Sequence, residues 1–193
     1  VGSYASLIGA DYLCFLIHAL IIYTPSVYFL GGMNPIKFFQ KMTPAMMFAF
    51  SSASSVATIP YNVESTKKMG VREEISNFIL PLGATINMDG TAIYLGVTSV
   101  FIATCCGMDL SMHQYIAIAL SSTIASIGVP GVPGGALALM AMVFASAGIP
   151  IEGVAVAAGV DRLVDMGRTT MSITGDASCA VVMQRFSKGI FKD

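Results

Sequence analysis

The sequence predicts an all-α membrane protein in which spanning helices alternate with two opposed re-entrant helical hairpins, an inverted repeat. Three observations carry this reading. The 193 residues are 55% hydrophobic and 11% charged, with a mean hydropathy of +0.76, too apolar for one soluble core of ordinary composition. Some apolar runs reach the ~20 helical residues that a bilayer crossing needs. Between them lie shorter apolar arms folded about a serine-rich or a glycine- and proline-rich middle, each only about half a membrane long.

Taken in order, residues 12–31 (YLCFLIHALIIYTPSVYFLG) read as the first spanning helix, within a unit 1–32. Residues 33–70 hold the first hairpin, because 44–60 (PAMMFAFSSASSVATIP) is apolar for one arm, turns serine-rich, and continues from Tyr61 as a polar, charged helix. The unit 71–106 contains a run from Ile75 to Cys105 that is long enough to span but is broken at Asn87-Met88-Asp89-Gly90-Thr91. In 107–150, two arms flank Gly128-Val129-Pro130-Gly131-Val132-Pro133-Gly134-Gly135, where missing backbone donors and permissive glycines impose a bend or an extended tip. Such a tip survives at membrane depth only where protein or a water-filled cavity satisfies its backbone. The last unit, 151–193, is a spanning helix from about Glu152 to Met183 and a cytoplasmic tail.

Charge tests this order. Lys37, Lys41, Lys67, Lys68, Arg72, Arg185, Lys188 and Lys192 fall in three connecting segments, and only Arg162 and Arg168 lie within apolar stretches. If the first helix ends inside, all eight loop cations face the cytoplasm, while the outer connections 107–114 and 147–153 hold no Lys or Arg, as the positive-inside rule requires. The chain then reads as two like units entering from opposite sides, a pointer to a secondary transporter with its site at the midplane.

Other classes fall away. Without tryptophan, a basic patch or an acidic run, a nucleic-acid partner has nothing to hold. Cys14, Cys105, Cys106 and Cys179 show no metal-ligand spacing and are expected as free, packed thiols. His18 has no carboxylate or cysteine at ligand spacing and is expected as a buried polar residue, and His113 as a surface loop residue. No hydrolase motif is present, and no enzymatic activity is expected. The chain opens on Val1 without a basic leader, so no signal peptide is expected, and it reads as part of a larger chain.

The chemistry concentrates on the last helix. Asp161, Asp165, Arg168, Thr169, Ser172 and Asp176 are spaced 4, 3, 1, 3 and 4 residues apart, which at ~100° per residue puts them within an arc of roughly 100°. A structural i,i+3 pair between Asp165 and Arg168 is the plain alternative. Ionisable groups inside a span are costly and functional by default, however, and three carboxylates against one guanidinium leave an anionic surplus that something positive should fill. The broken helix offers carbonyls, an amide, a thioether, a carboxylate and a hydroxyl in five residues, a set suited to a small hard cation such as sodium. At the first tip, Ser51, Ser52, Ser54 and Ser55 offer donors for a carboxylate, or simply let helices approach closely.

These motifs resemble the glutamate transporter family, the dicarboxylate/amino-acid:cation symporters. The resemblance covers nearly the whole chain: Ser54-Ser55 with Thr58 and Pro60, Asn87 to Thr91 within Leu80-Pro81-Leu82-Gly83-Ala84-Thr85-Ile86, Gly128 through Gly135, and Asp161 to Asp176. It implies an elevator-type transport core, working as a homotrimer through an N-terminal scaffold half absent from this chain, multi-pass in the plasma or inner membrane. It implies symport of an amino acid with sodium ions, with aspartate or glutamate as the substrate. Asp165 would hold the substrate's amino group, Arg168 its side-chain carboxylate and Thr91 a neighbouring oxygen. The backbone at Ala53 and Ser55 and at Val132 and Ala136 would close the tips, and Ser54, Thr169 and Ser172 complete the lining. One sodium would sit on Gly83, Asn87 and Ser172 carbonyls with the Asp176 carboxylate. A second would sit between Thr85 and Met88 and the carbonyls of Ser126, Ile127 and Val129, and Asp89 would help bind a third.

Three departures from the family pattern matter. Ser172 stands where Asn is usual, Val56 where a third tip serine is usual, and Leu95 where proton- and potassium-coupled animal members have a carboxylate. Sodium coupling without that proton site is therefore expected. A carrier of serine, threonine or cystine is the rival within the class, and an ion channel the rival outside it.

Overall fold

The computed structural model describes residues 2–187, with side chains from Tyr4 onward; Lys188 and Lys192, two of the cations assigned to the cytoplasmic side, lie outside the described residues, as does the end of the 151–193 unit. The described residues are helical throughout apart from turns, caps and tips, and no strand is found among them. The order is α1 (Gly2–His18), continued by two π-helical stretches, Ala19–Tyr23 and Ser26–Leu30, then α2 (Pro35–Ser52), α3 (Ser55–Lys68), α4 (Glu73–Ile86), α5 (Asp89–Cys105), α6 (Met112–Ile127), α7 (Leu137–Ser146), α8 (Gly153–Ala158) and α9 (Asp161–Ser187).

The first helical stretch is longer than its apolar run. It begins at Gly2 rather than near residue 12, because Leu7, Asp11 and Phe15 form a buried stripe at four-residue spacing that extends the packed face toward the N-terminus. The opposite face exposes Leu13, Leu16, Ile17, Leu20 and Ile21. Two continuous stretches, Tyr4–Leu30 and Glu73–Cys105, are long and apolar enough to cross a bilayer.

Two helical hairpins follow the same plan at their bases. α2 packs on α3, and the Lys41 ammonium donates to the Lys68 carbonyl at 2.5 Å. α6 packs on α7, where the Gln114 amide donates to the Ala147 carbonyl at 2.9 Å and the Ser121 and Ser146 hydroxyls meet at 3.0 Å. Ser111 and Gln114 form a capping box that starts α6, so His113 lies in an exposed first helical turn, not in a loop.

α9 is the axis. It contacts α1, α2, α3, α4, α5 and α8, and its polar stripe is covered on that account: Asp161, Asp165, Arg168, Thr169, Ser172 and Asp176 are all buried. One apolar cluster gathers α1, α5, α6, α7 and the start of α9 around Phe15, Tyr94, Ile102, Phe144 and Val164. A second gathers α2, α4 and the rest of α9 around Val27, Phe38, Met42, Leu80 and Ile173. The polar residues lie between them. A buried polar stripe between apolar clusters, together with many exposed large apolar side chains such as Ile21, Phe29, Met47 and Ile124, fits a lipid-facing or assembly-facing exterior.

Two expectations are corrected. The last helix is not continuous from Glu152, because α8 ends at Ala158 and a turn at Gly159–Val160 precedes α9. The four cysteines are free, but Cys105, Cys106 and Cys179 are exposed and Cys14 is half-buried, so they are not packed thiols. They sit on outward faces, which the sequence could not separate from inward ones.

Candidate functional site

Hairpin tips and the broken-helix end converge on one face of α9 to form the site. The first tip is two residues long: Ala53 closes α2 in the left-handed region (φ 52°, ψ 35°), and the Ser54 side chain caps α3 by accepting from the Ala57 N–H at 3.2 Å. Serine is a strong N-cap residue, whereas a left-handed alanine costs ~1–2 kcal/mol, a strain of the kind stored at functional positions. The second tip is far longer, spanning the residues between Ile127 and Leu137.

The tips touch. The Ser54 hydroxyl donates to the Gly131 carbonyl at 3.0 Å, and the Val56 N–H donates to the same oxygen at 3.4 Å. A Cβ at Gly131 would come within 2.9 Å of the Ala84 carbonyl and 3.0 Å of Val56 Cγ2, so only glycine allows this approach. Beneath them α9 supplies the floor. Asp165 Oδ2 accepts the Gly134 N–H at 2.9 Å, and Asp165 Oδ1 accepts Arg168 Nε at 3.0 Å and Nη2 at 2.6 Å. Arg168 also lies over the Tyr94 ring, 5.4 Å from its centroid, a favourable cation–π geometry.

The space so enclosed is small, about 10 Å³, room for about one water. It is lined by Ala53, Ser55, Thr91, Val132, Asp165, Arg168, Thr169 and Ser172 from the expected substrate set, by Met88 and Val129 from the expected ion set, and by Pro130 and Gly131. The last two were missed, since the octapeptide gives no signal for which of its residues faces inward. Ser54 lies at the rim, its hydroxyl turned to the other tip. Ala136 is not in the cavity; it is fully buried in the apolar cluster at the start of α7. The Ser172 hydroxyl donates back to the Arg168 carbonyl at 3.2 Å.

The ion-site residues fall into three groups. Asn87 Nδ2 donates to Asp176 Oδ1 at 2.8 Å and to the Ser172 carbonyl at 3.4 Å. A Cβ at Gly83 would collide with the Asp176 carboxylate, and one at Gly175 would stand 2.7 Å from Asn87 Nδ2. Gly83 thus makes room for the carboxylate and Gly175 for the Asn87 amide that holds it, and the carboxylate with the nearby Ser172 carbonyl is an oxygen set that suits a hard cation. In the second group, Met88 and Ser126 are buried, but Thr85 and Ile127 are exposed and the Thr85 hydroxyl bonds the Leu82 carbonyl at 2.7 Å. In the third, Asp89 Oδ1 accepts the Gly90 N–H at 2.8 Å, while Oδ2 accepts the Tyr23 hydroxyl and faces His18 Nε2 at 3.1 Å. His18, Tyr23, Gly83, Asn87, Asp89 and Asp176 line one groove of about 400 Å³.

His18 is therefore corrected: it is a carboxylate partner, only part-buried. Sequence spacing could not show this, because the partners lie 71 residues apart. The π-helical turn explains the geometry, since its wider winding brings residues five apart onto one side, and the His18 and Tyr23 rings meet edge to face at 5.0 Å. Among the described residues no three His, Cys, Asp or Glu side chains gather, so a transition-metal site has no support there.

A family model described as the sodium:dicarboxylate symporter family matches residues 1–186. Over 174 residues the chain is 42% identical to excitatory amino acid transporter 3 of Oryctolagus cuniculus, covering 89% of this chain and 33% of that protein. Over 180 residues it is 38% identical to excitatory amino acid transporter 1 of Rattus norvegicus, covering 92% and 33%. Over 189 residues it is 33% identical to the proton/sodium-glutamate symport protein of Bacillus subtilis, covering 98% and 44%. The chain thus spans a third to less than half of the length of these relatives.

Proposed function

Because this chain belongs to the sodium:dicarboxylate symporter family, we propose that it forms the substrate- and ion-binding core of a sodium-coupled secondary active symporter of acidic amino acids. The observation that carries the reading is the cavity between the two tips, floored by Asp165 and Arg168 and walled by Thr91, Thr169 and Ser172. A carboxylate and a guanidinium side by side can receive an amine and a second carboxylate. The α3 N-terminus and the tip backbone add donors for the remaining carboxylate, as helix N-termini do for anions. Sodium ions, co-transported, occupy the Gly83–Asn87–Asp176 group and its neighbours at Thr85, Met88, Ser126, Ile127, Val129 and Asp89.

In this reading both hairpins are re-entrant, the first from the cytoplasm and the second from outside, and the core moves as an elevator. It does so in a multi-pass protein of the plasma or inner membrane, a homotrimer assembled through the part of the protein that this chain does not include. The tip-to-tip contact of the two hairpins and the cation-free outer connections support that orientation. The relatives' names, excitatory amino acid transporters and a proton/sodium-glutamate symporter, favour acidic substrates.

A second reading, transport of neutral amino acids or cystine, is favoured by the Asp165–Arg168 pair, since a guanidinium held internally at 2.6 Å need not await a substrate carboxylate. Uptake of labelled amino acids into vesicles holding the full-length protein separates the two. Sodium-dependent accumulation of aspartate or glutamate in preference to serine is expected. Preference for serine or cystine would replace the first reading with the second, and sodium-independent flux without substrate would overturn both.

A further inference from the structure

Behind Arg168, away from the cavity, lies a carboxylate that the transport reading does not use. Asp11 has no exposed surface, although it sits in the apolar stripe between Leu7 and Phe15. Neither of its oxygens has a hydrogen-bond partner. Its chain neighbour Tyr12 packs on α9 beside Arg168, 2.9 Å from where a Cβ at Gly167 would stand, and donates its hydroxyl to the Leu163 carbonyl at 2.8 Å. The charged and titratable groups near Asp11 are the Arg168 guanidinium on α9, the Tyr94 phenol on α5, and Tyr12 and Cys14 on α1. Arg168 in turn keeps one nitrogen, Nη1, buried and without a partner. A buried acceptor and a buried donor thus stand unsatisfied in one interior region, and such groups call for an explanation.

The guanidinium is spoken for as long as it holds Asp165. An unpaired carboxyl in an apolar setting then keeps its proton, because the charged form bears the desolvation cost. An amine arriving at Asp165 displaces the guanidinium, which needs a new anion. An acidic substrate brings one. A neutral substrate brings none, and Asp11 is the buried carboxyl that the first helix places near Arg168.

Resting on the reading of Asp165 and Arg168 as the substrate's two anchors, we infer that Asp11 is a specificity-determining, proton-carrying counter-charge. It stands in for the second carboxylate when a neutral amino acid is bound. The step balances: the neutral substrate's ammonium takes Asp165, the guanidinium turns to Asp11, and the Asp11 proton leaves to water. With an acidic substrate the guanidinium takes the substrate's carboxylate, and Asp11 keeps its proton.

The test uses the full-length protein in weakly buffered sodium medium with a pH indicator, titrated separately with serine and aspartate, with affinities from calorimetry. Serine should release about one proton per site and aspartate none, as linkage requires of a group whose protonation changes only in the serine complex. Asp11→Asn should abolish the release and weaken serine by about tenfold or more, as expected when a buried charge loses its partner, leaving aspartate within about twofold. Retained aspartate binding by that variant reports that it is folded, and the wild-type proton release is read without any variant. Equal weakening of both substrates, unchanged serine binding and release in Asp11→Asn, or loss of the release in Asp161→Asn instead, would overturn the inference. Aspartate binding with no serine binding in the wild type overturns it as well, while leaving the acidic-substrate reading intact. Serine binding with proton release but no aspartate binding would sink the acidic-substrate reading and support the inference.

Discussion

The two hairpins share a base and differ at the tip. Both are tied where their arms begin and end, by Lys41 to the Lys68 carbonyl and by Gln114 to the Ala147 carbonyl. The first tip satisfies itself, with a two-residue link, a serine cap and a left-handed alanine. The second does so only in part: Pro130 and Pro133 lack donors and its helical arms stop well short of each other, although the Val132 N–H donates to the Pro130 carbonyl at 2.8 Å and the Gly135 N–H to the Val132 carbonyl at 3.3 Å. Its remaining anchors are borrowed: Gly131 accepts from the first tip, and Gly134 donates to Asp165. A segment held by its own hydrogen bonds stays put, whereas one held in part by the carboxylate proposed to bind substrate loosens when that carboxylate changes partner. An amine arriving at Asp165 competes with Gly134 and Arg168 for its two oxygens, and on that ground we propose that the second tip is the gate.

The harshest break is Asp165→Asn. It removes the gate's anchor and strips Arg168 of its counter-charge, and separating a buried pair costs ~3–5 kcal/mol. Substrate binding should be lost by calorimetry, and thermal unfolding in lipid should occur at lower temperature. Binding within a few-fold of wild type would show that Asp165 anchors neither substrate nor gate.

Arg168→Thr comes next and separates the floor from the gate, because the Asp165 to Gly134 bond remains. An acidic substrate left with an unpaired carboxylate should weaken by ~2–5 kcal/mol. Competition assays should show neutral amino acids losing little. Parallel losses for aspartate and serine would remove Arg168 from substrate selection.

A milder change bears on where the tips meet. At Gly131 a methyl group would press on the Ala84 carbonyl and Val56, and overpacking of this kind costs ~1–3 kcal/mol. Gly131→Ala should hold the gate off the first tip, seen as faster labelling of a cysteine placed at Ser55. Labelling at the wild-type rate would mean that the contact is not part of closure.

The smallest change strengthens the contrast. Ala53→Gly relieves a left-handed alanine and should stabilise the first tip by up to ~1 kcal/mol, read as a raised unfolding temperature with gate labelling unchanged. A shift in gate labelling would show that the two tips are not mechanically distinct.

What the sequence disclosed follows from range. The α9 stripe was legible because six polar residues at helical spacing in an apolar context point one way, and all six are buried. The break before Asp89 was legible because Asn, Met, Asp and Gly interrupt an apolar run. Contacts between distant segments were not. Tyr23 and His18 reach Asp89 through a π-helical turn that no residue pattern announces. Asp11 hid at the polar edge of an apolar run that was read as starting one residue later, and its burial follows from a stripe shared with Leu7 and Phe15. Ala136 was placed by resemblance at the tip, yet its methyl group packs into the apolar cluster.

The central claim is that the cavity between the tips binds substrate and that the second tip closes it. Hydrogen exchange on the full-length protein, compared with and without sodium and aspartate together, tests this most directly. The account predicts that amides from Gly131 to Gly135 gain protection on adding both ligands, while those from Val56 to Ile59 change little, as expected of a low-stability, ligand-responsive segment beside a self-capped one. Equal protection of the second tip in both conditions, or a gain confined to the first, would contradict it.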